Sequence, residues 1–122
     1  MIFDVRTLVV VTLPASVLAL MSKHIGGTLR AEDVFGRIGG EESGVILPSI
    51  DHVRALEIAE RIRGLVAALP VGAAYPLEHI SVSIGVASTD ADGSDWDSLC
   101  RVADQRLFDV KGAGRNQVHG RS

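Results

Sequence analysis

Arg37-Ile38-Gly39-Gly40-Glu41-Glu42-Ser43-Gly44, followed by Val45-Ile46-Leu47, decides how this chain reads. Two apolar segments, residues 34–38 and 44–47, flank a glycine pair and two acids. Adjacent glycines between strand-like runs predict a tight hairpin, because glycine takes positive φ without steric cost. A glycine turn also admits a ligand to the backbone, since no Cβ stands in the way. Two carboxylates directly after it would be held on rigid strands, a good place for a cation or a metal-bound phosphate. The same pattern also describes an ordinary turn with solvated acids, and the rest of the chain decides between them.

Upstream, Arg30-Ala31-Glu32-Asp33 joins the hairpin to a segment in which Val17, Leu18, Met21 and Ile25 recur at three- and four-residue spacing. That spacing predicts a helix, opened by Pro14 and weakened at its end by Gly26-Gly27. Before it, Val9-Val10-Val11 has β-branched character, and residues 1–5 read as a short buried strand. Downstream, Pro48 closes the second hairpin strand, because it has no N–H for a ladder. Ser49 or Asp51 caps a helix to about residue 69, with Ala55, Ile58, Ala59, Ile62, Leu65, Val66 and Leu69 as its apolar stripe. Residues 70–76 form a loop.

Residues 80–86 alternate strictly, with Ile80, Val82, Ile84 and Val86 to one face and Ser81, Ser83 and Gly85 to the other. This predicts a strand whose small-residue face lets a helix or ligand come close. A polar turn at 90–93 precedes a helix capped by Asp95 and running to about Lys111. Its buried stripe is Leu99, Val102, Ala103, Leu107 and Val110, with Cys100 a small core residue beside it. Gly112 and Gly114 stop that helix, and residues 116–119 add an edge strand. Strands, helices and one tight hairpin in this order imply an α+β fold, an antiparallel-rich central sheet with helices packed on it.

The 122 residues suffice for one domain with a real core, and 47% hydrophobic against 22% charged residues excludes a disordered chain. A net charge of −3 excludes general attraction to a nucleic acid polymer, so an anionic ligand needs a local cationic cluster. The single Cys100 excludes an internal disulfide and fits a reducing, cytoplasmic setting. His24, His52, His79 and His119 lack metal-ligand spacing and read as structural or exposed. The apolar residues 8–21 are broken by Pro14 and fall short of the roughly 20 that a membrane-spanning helix needs.

The hairpin and its neighbours resemble the GGDEF domain of diguanylate cyclases, with Gly39-Gly40-Glu41-Glu42-Ser43 as the signature. Arg30-Ala31-Glu32-Asp33, Ala59-Glu60-Arg61-Ile62-Arg63 and Ser83-Ile84-Gly85-Val86 agree in order and spacing. So do Ala103-Asp104, Leu107-Phe108, Lys111 and Gly114-Arg115-Asn116. The resemblance covers residues 17–118 and implies a single nucleotidyl cyclase-like domain over 1–122, with a divergent or truncated front at 1–16 and its first strand and helix shortened. Such domains join two GTP molecules into cyclic di-GMP across a dimer, with Mg²⁺ or Mn²⁺ neutralising the triphosphates and helping to activate the attacking hydroxyl.

Carried onto this sequence, the resemblance places Gly39 and Gly40 at the substrate and makes Glu41 and Glu42 catalytic, metal-binding acids. It sets Lys111 and Arg115, one helical turn apart, on the phosphates. Two cations at a helix C-terminus are also favoured by the macrodipole alone. Arg30 and Asp33 match the family's RxxD inhibitory site, where cyclic di-GMP binds, and Arg61 stands where a further arginine is expected. A plain surface salt bridge between Arg30 and Asp33 is the other reading.

The front departs from the family, whose first strand carries D-x-D-x-F-K and whose next helix carries an N-D pair that selects guanine. On one alignment Asp4 takes the first metal position and Arg6 replaces the second acid; on a gapless alignment from Arg30 backward Asp4 matches nothing, and residues 8–13 carry no guanine-reading side chain. Ser43 replaces the motif's phenylalanine, a loss of packing worth about 2 kcal/mol. These departures imply impaired catalysis and a GTP or cyclic di-GMP binding module acting through the RxxD site. The alternatives are a working cyclase using Asp4, Glu41 and Glu42, or a structural or dimerising remnant that binds nothing. The shortened front is expected to expose residues 9–13 and to be covered in a homodimer. Membrane attachment is expected only through an upstream region.

Overall fold

The computed structural model describes residues 7–12, 23, 25–39, 42–68, 82–89, 92–93 and 95–120. Strand β1 is Thr7–Thr12, β2 is Val34–Gly39 and β3 is Glu42–Leu47; helix α1 is His52–Ala67. Strand β4, Ser83–Ser88, then precedes helix α2, Trp96–Gly112, and strand β5, Val118–His119. The sheet order is β2-β3-β1-β4-β5, with every pairing antiparallel except β4–β5. This is the expected α+β architecture, with the predicted glycine hairpin formed by β2 and β3.

One expectation is overturned by the register. Thr7–Thr12 pairs with Leu47 to Glu42 on one side and with Ser88 to Ser83 on the other. The run expected to be exposed is therefore the central strand as far as Thr12, bonded on both sides and packed by both helices. Leu13, the strand expected at residues 1–5 and most of the first predicted helix lie outside the described residues. Lys23, Ile25 and Gly26 are helical, and Ile25 is fully buried in the core.

The alternation read in β4 is real, but the strand runs to Ser88, opposite Thr7, rather than ending at Val86. All its residues are buried, because a helix covers each face. Val82, Ile84 and Val86 join Val45, Leu47 and the α1 stripe in one core, while Ala87 joins Leu99, Ala103 and Leu107 of α2 in the other. Full burial of a residue such as Ile62, Ile84 or Leu99 is worth about 1.5–3 kcal/mol. Both helices start at the predicted caps: Asp51 accepts from the Arg54 N–H and Asp95 from the Ser98 N–H, each at 2.8 Å. Ser43 is buried; β3 keeps an unbroken register with β1, while its pairing with β2 shifts by one residue between Arg37–Ser43 and Gly39–Glu42. Among the described residues no helix is long and apolar enough to cross a membrane.

Two polar groups that the stripes did not include are withdrawn from solvent, His52 fully and Arg106 in part. His52, the first residue of α1, places Nδ1 2.6 Å from the Ser88 hydroxyl. Arg106 of α2 bonds the Val86 carbonyl at 2.7 Å and both oxygens of Asp92, tying the helix to the end of β4. Such charge-assisted, two-pronged pairing satisfies groups that burial would otherwise penalise.

Among the described residues, α2 lies very close to the backbone of β4 at Gly85. A Cβ there would stand 2.2 Å from the Ala103 carbonyl oxygen and 2.7 Å from the Leu107 nitrogen, both backbone atoms of α2. The small-residue face thus receives a helix, and no flexible side chain can yield to a methyl group. Gly85→Ala is expected to destabilise the domain by about 2–3 kcal/mol in urea unfolding. An unchanged midpoint would refute this packing.

Candidate functional site

The hairpin carries its irregularity just before its turn. Arg37 pairs with Ser43, but Gly39 pairs with Glu42, with a register shift between Arg37 and Gly39. A bulge of this kind re-aims the strand end where pairing stops. Gly40 and Glu41 lie outside the described residues, so the site is built from Gly39 and Glu42 outward.

Glu42 begins β3 and is half-buried on the same side as Gly44 and Ile46, the side that α2 covers. Burial pushes its carboxyl up from the ordinary value, and the Asp104 carboxyl adds to this through its charge and a hydrogen bond. Lys111 pulls in the opposite direction. Asp104 and Lys111 are two turns apart on α2 and so share one flank, which meets Glu42 at the turn end of the sheet. The structure thus brings together Glu42 and Lys111, as expected, and adds Asp104, which belongs to the Ala103-Asp104 motif and has no place among the expected site residues. Its signal was the seven-residue spacing to Lys111.

Arg115 differs from the expectation in position. Helix α2 ends at Gly112, and Arg115 lies beyond it with φ 63°, between Gly114 at 110° and Asn116 at 53°. It is exposed and close in sequence to Lys111, but it is not on the next helical turn. Asp4 lies outside the described residues. The strand end opposite Glu42 carries Thr12, and Thr7, the described residue nearest Asp4 in sequence, stands opposite Leu47 at the far end.

Arg30 and Asp33 close a tight turn. The Asp33 N–H donates to the Arg30 carbonyl at 3.1 Å, and the Arg30 N–H donates to Asp33 Oδ2 at 2.7 Å. The guanidinium donates through Nη2 to Asp33 Oδ1 at 2.7 Å and to the Pro48 carbonyl at 2.8 Å, with Glu32 at 3.0 Å from Nη1. The Asp33 side chain is 2% exposed against 39% for Arg30, so the acid is a structural anchor and the cation faces outward. Arg61 is exposed on α1. Among the described residues no hydrogen bond or ion pair joins it to this turn.

The half-buried Glu42 and the exposed Asp104 beside it are two carboxylates that fit a divalent cation, which would replace their repulsion with attraction. Among the described residues no group of three or more His, Cys, Asp or Glu side chains is placed to hold a metal ion. Glu41 and Asp4 are outside those residues.

The family model described as "Diguanylate cyclase, GGDEF domain" matches residues 15–117. The chain is similar to the response regulator PleD of Caulobacter vibrioides, with 37% identity over 108 residues, covering 87% of this chain and 24% of PleD. It is 38% identical over 96 residues to the protein named "Probable diguanylate cyclase DgcT" of Escherichia coli, covering 77% of this chain and 21% of that one. The chain therefore spans about a quarter of the length of these relatives. Among solved structures it resembles the active GGEEF domain of a diguanylate cyclase from Vibrio cholerae. The TM-score is 0.83 at 25% identity, covering 95% of this chain and 82% of that one.

The raised Glu42 carboxyl has a definite sign in pH. Its charged form is disfavoured in the fold, so its contribution to stability is full below the unfolded-state value and is lost as pH rises through the folded one. Glu42→Gln is expected to raise Tm by about 2–5 °C at neutral pH. The gain should shrink toward zero as the pH falls to about 4. A gain independent of pH would refute the carboxyl pairing.

Proposed function

The chain belongs to the GGDEF (diguanylate cyclase) family, and from that premise we propose that it is a nucleotide-binding module of cyclic di-GMP signalling with impaired cyclase chemistry. The observation that carries this reading is the register of β1: the strand end opposite Glu42 offers Thr12. In the family, by the resemblance, that strand supplies the first metal-binding aspartates. The hairpin acids are then left to hold a metal without them.

In this reading Mg²⁺ or Mn²⁺ would be held by Glu42 and Glu41, with Asp104 behind them. The ion would neutralise the triphosphate of GTP. Gly39 leaves the backbone open to the nucleotide, and Lys111 and Arg115 supply the cations that meet its phosphates. Guanine selection is weak, because discriminating a base needs paired polar groups, and residues 8–22, the strand and the stretch after it, contain neither Asn nor Asp. Nucleotides are therefore held without efficient turnover.

The second ligand, cyclic di-GMP, binds at Arg30 with Asp33, joined by Arg61 from α1. The outward guanidinium can present two N–H groups to guanine or phosphate once Glu32 releases it. Asp33 keeps the backbone turn in place throughout.

Two measurements decide this. Incubation with GTP and Mn²⁺ is expected to yield little or no cyclic di-GMP, and production at the rate of an active cyclase domain would overturn the impaired-catalysis reading. Calorimetric titration with cyclic di-GMP should show binding that Arg30→Ala abolishes and Arg30→Lys weakens by about tenfold, since lysine cannot make the two-pronged contact. Absence of heat with the unaltered protein would overturn the binding role.

A further inference from the structure

The loop after α2 holds three consecutive residues at positive φ: Gly114 at 110°, Arg115 at 63° and Asn116 at 53°. Glycine takes that conformation freely and asparagine tolerates it, whereas for arginine it costs roughly 1–2 kcal/mol. Something must hold Arg115 there.

Local bonds supply part of the grip. The Arg115 N–H donates to the Val110 carbonyl at 2.9 Å, and Gln117 Nε2 donates to the Ala113 carbonyl at 2.9 Å. The rest comes from distant parts of the fold, through Asn116. Its N–H donates to the Ser83 hydroxyl of β4 at 3.3 Å, and its side-chain Oδ1 accepts from Arg63 Nη1 of α1 at 3.0 Å. Arg63 is itself fixed, because its Nε donates to both carboxylate oxygens of Glu60 at 2.9 Å.

Helix α1 contains its own control for this arrangement. Arg54 and Glu57 form an ion pair of reversed order at the same three-residue spacing, joined by one hydrogen bond, with side chains 51% and 56% exposed and, among the described residues, no bond to the loop. The Arg63 side chain is 24% exposed, and its second arm reaches across to Asn116.

We propose that Arg63, acting through Asn116, is a positioning residue that holds Arg115 in its phosphate-facing conformation, so that α1 sets the anion affinity of the site. This rests on the reading that Arg115 meets nucleotide phosphate. Released from Asn116, the loop spends only part of its time in the held form, and affinity falls by that fraction. A held population of about 10–30% corresponds to an apparent Kd about 3–10-fold higher.

The experiment uses the full chain with GTP and Mg²⁺ in calorimetry, beside three-bond HN–Hα couplings and ¹⁵N relaxation at Arg115 and Asn116. Arg63→Ala is expected to weaken GTP binding about 3–10-fold, to average the couplings of both residues and to raise their mobility. Arg63→Lys, which keeps a donor, should restore much of both, and Arg54→Ala should change neither. Combined with Arg115→Ala, Arg63→Ala should add no further loss, because its effect passes through Arg115. Unchanged loop couplings in Arg63→Ala, an equal loss in Arg54→Ala, or a fully additive double variant would overturn the proposal. An unaltered protein that fails to bind GTP would overturn the phosphate-site reading itself. That outcome is read on the wild type alone and so is distinct from a failure of Arg63 in a protein that binds.

Discussion

The hydrogen atom that Gly85 carries in place of a side chain is the constraint on which the rest depends. It lets the backbone of α2 lie directly on β4, with the Ala103 carbonyl and the Leu107 nitrogen where a Cβ would have stood. Once the helix is seated this closely, its rotation and its position along the strand are both set. Arg106 then reaches the Val86 carbonyl, Asp104 and Lys111 arrive beside Glu42, and the chain leaving the helix comes down against Ser83. A helix lifted by one methyl would shift all of these contacts together, because they lie on one rigid element.

The parts of this fold that were legible in the sequence are those written in local pattern. The glycine hairpin, the caps Asp51 and Asp95, the apolar stripes of both helices and the small face of β4 each declare themselves within a few residues. What escaped depends on pairing between distant segments. Residues 1–5 and 7–12 have similar apolar character, and only the partners Glu42–Leu47 and Ser83–Ser88 make the second of them the central strand. The same pairing carries β4 on to Ser88, past the point where its alternation was read.

The site was legible to a similar depth. Glu42 and Lys111 could be placed through motif resemblance, but Asp104 reads in sequence as an ordinary charged residue on a helix flank. Its closeness to Glu42 follows from the seating of α2 and from nothing local. Arg115 was misplaced for a different reason. Spacing arguments assume that the helix continues, whereas Gly112 ends it and Gly114 turns the chain into the left-handed region. Arg63 shows the converse: in sequence it is, like Arg54, an arginine three residues from a glutamate on α1, and its bond to Asn116 appears only in the fold.

Two unfavourable features lie along the same helix and its exit. Glu42 is pushed toward its neutral form by burial and by Asp104, and Arg115 is held in a backbone conformation that arginine avoids. Neither helps the domain fold, since a neutral residue at position 42 and a glycine at position 115 would remove both costs. A metal-bound nucleotide would offset them together, as the cation relieves the two acids and the phosphates meet the arginine. On the same proposed reading, Thr12 opposite Glu42 would limit such a complex, because binding needs charge compensation alone, whereas turnover would draw on acids of both strands to activate the hydroxyl. On the proposed reading, a domain with these two costs and with no acid between Thr7 and Thr12 would suit holding nucleotides better than joining them.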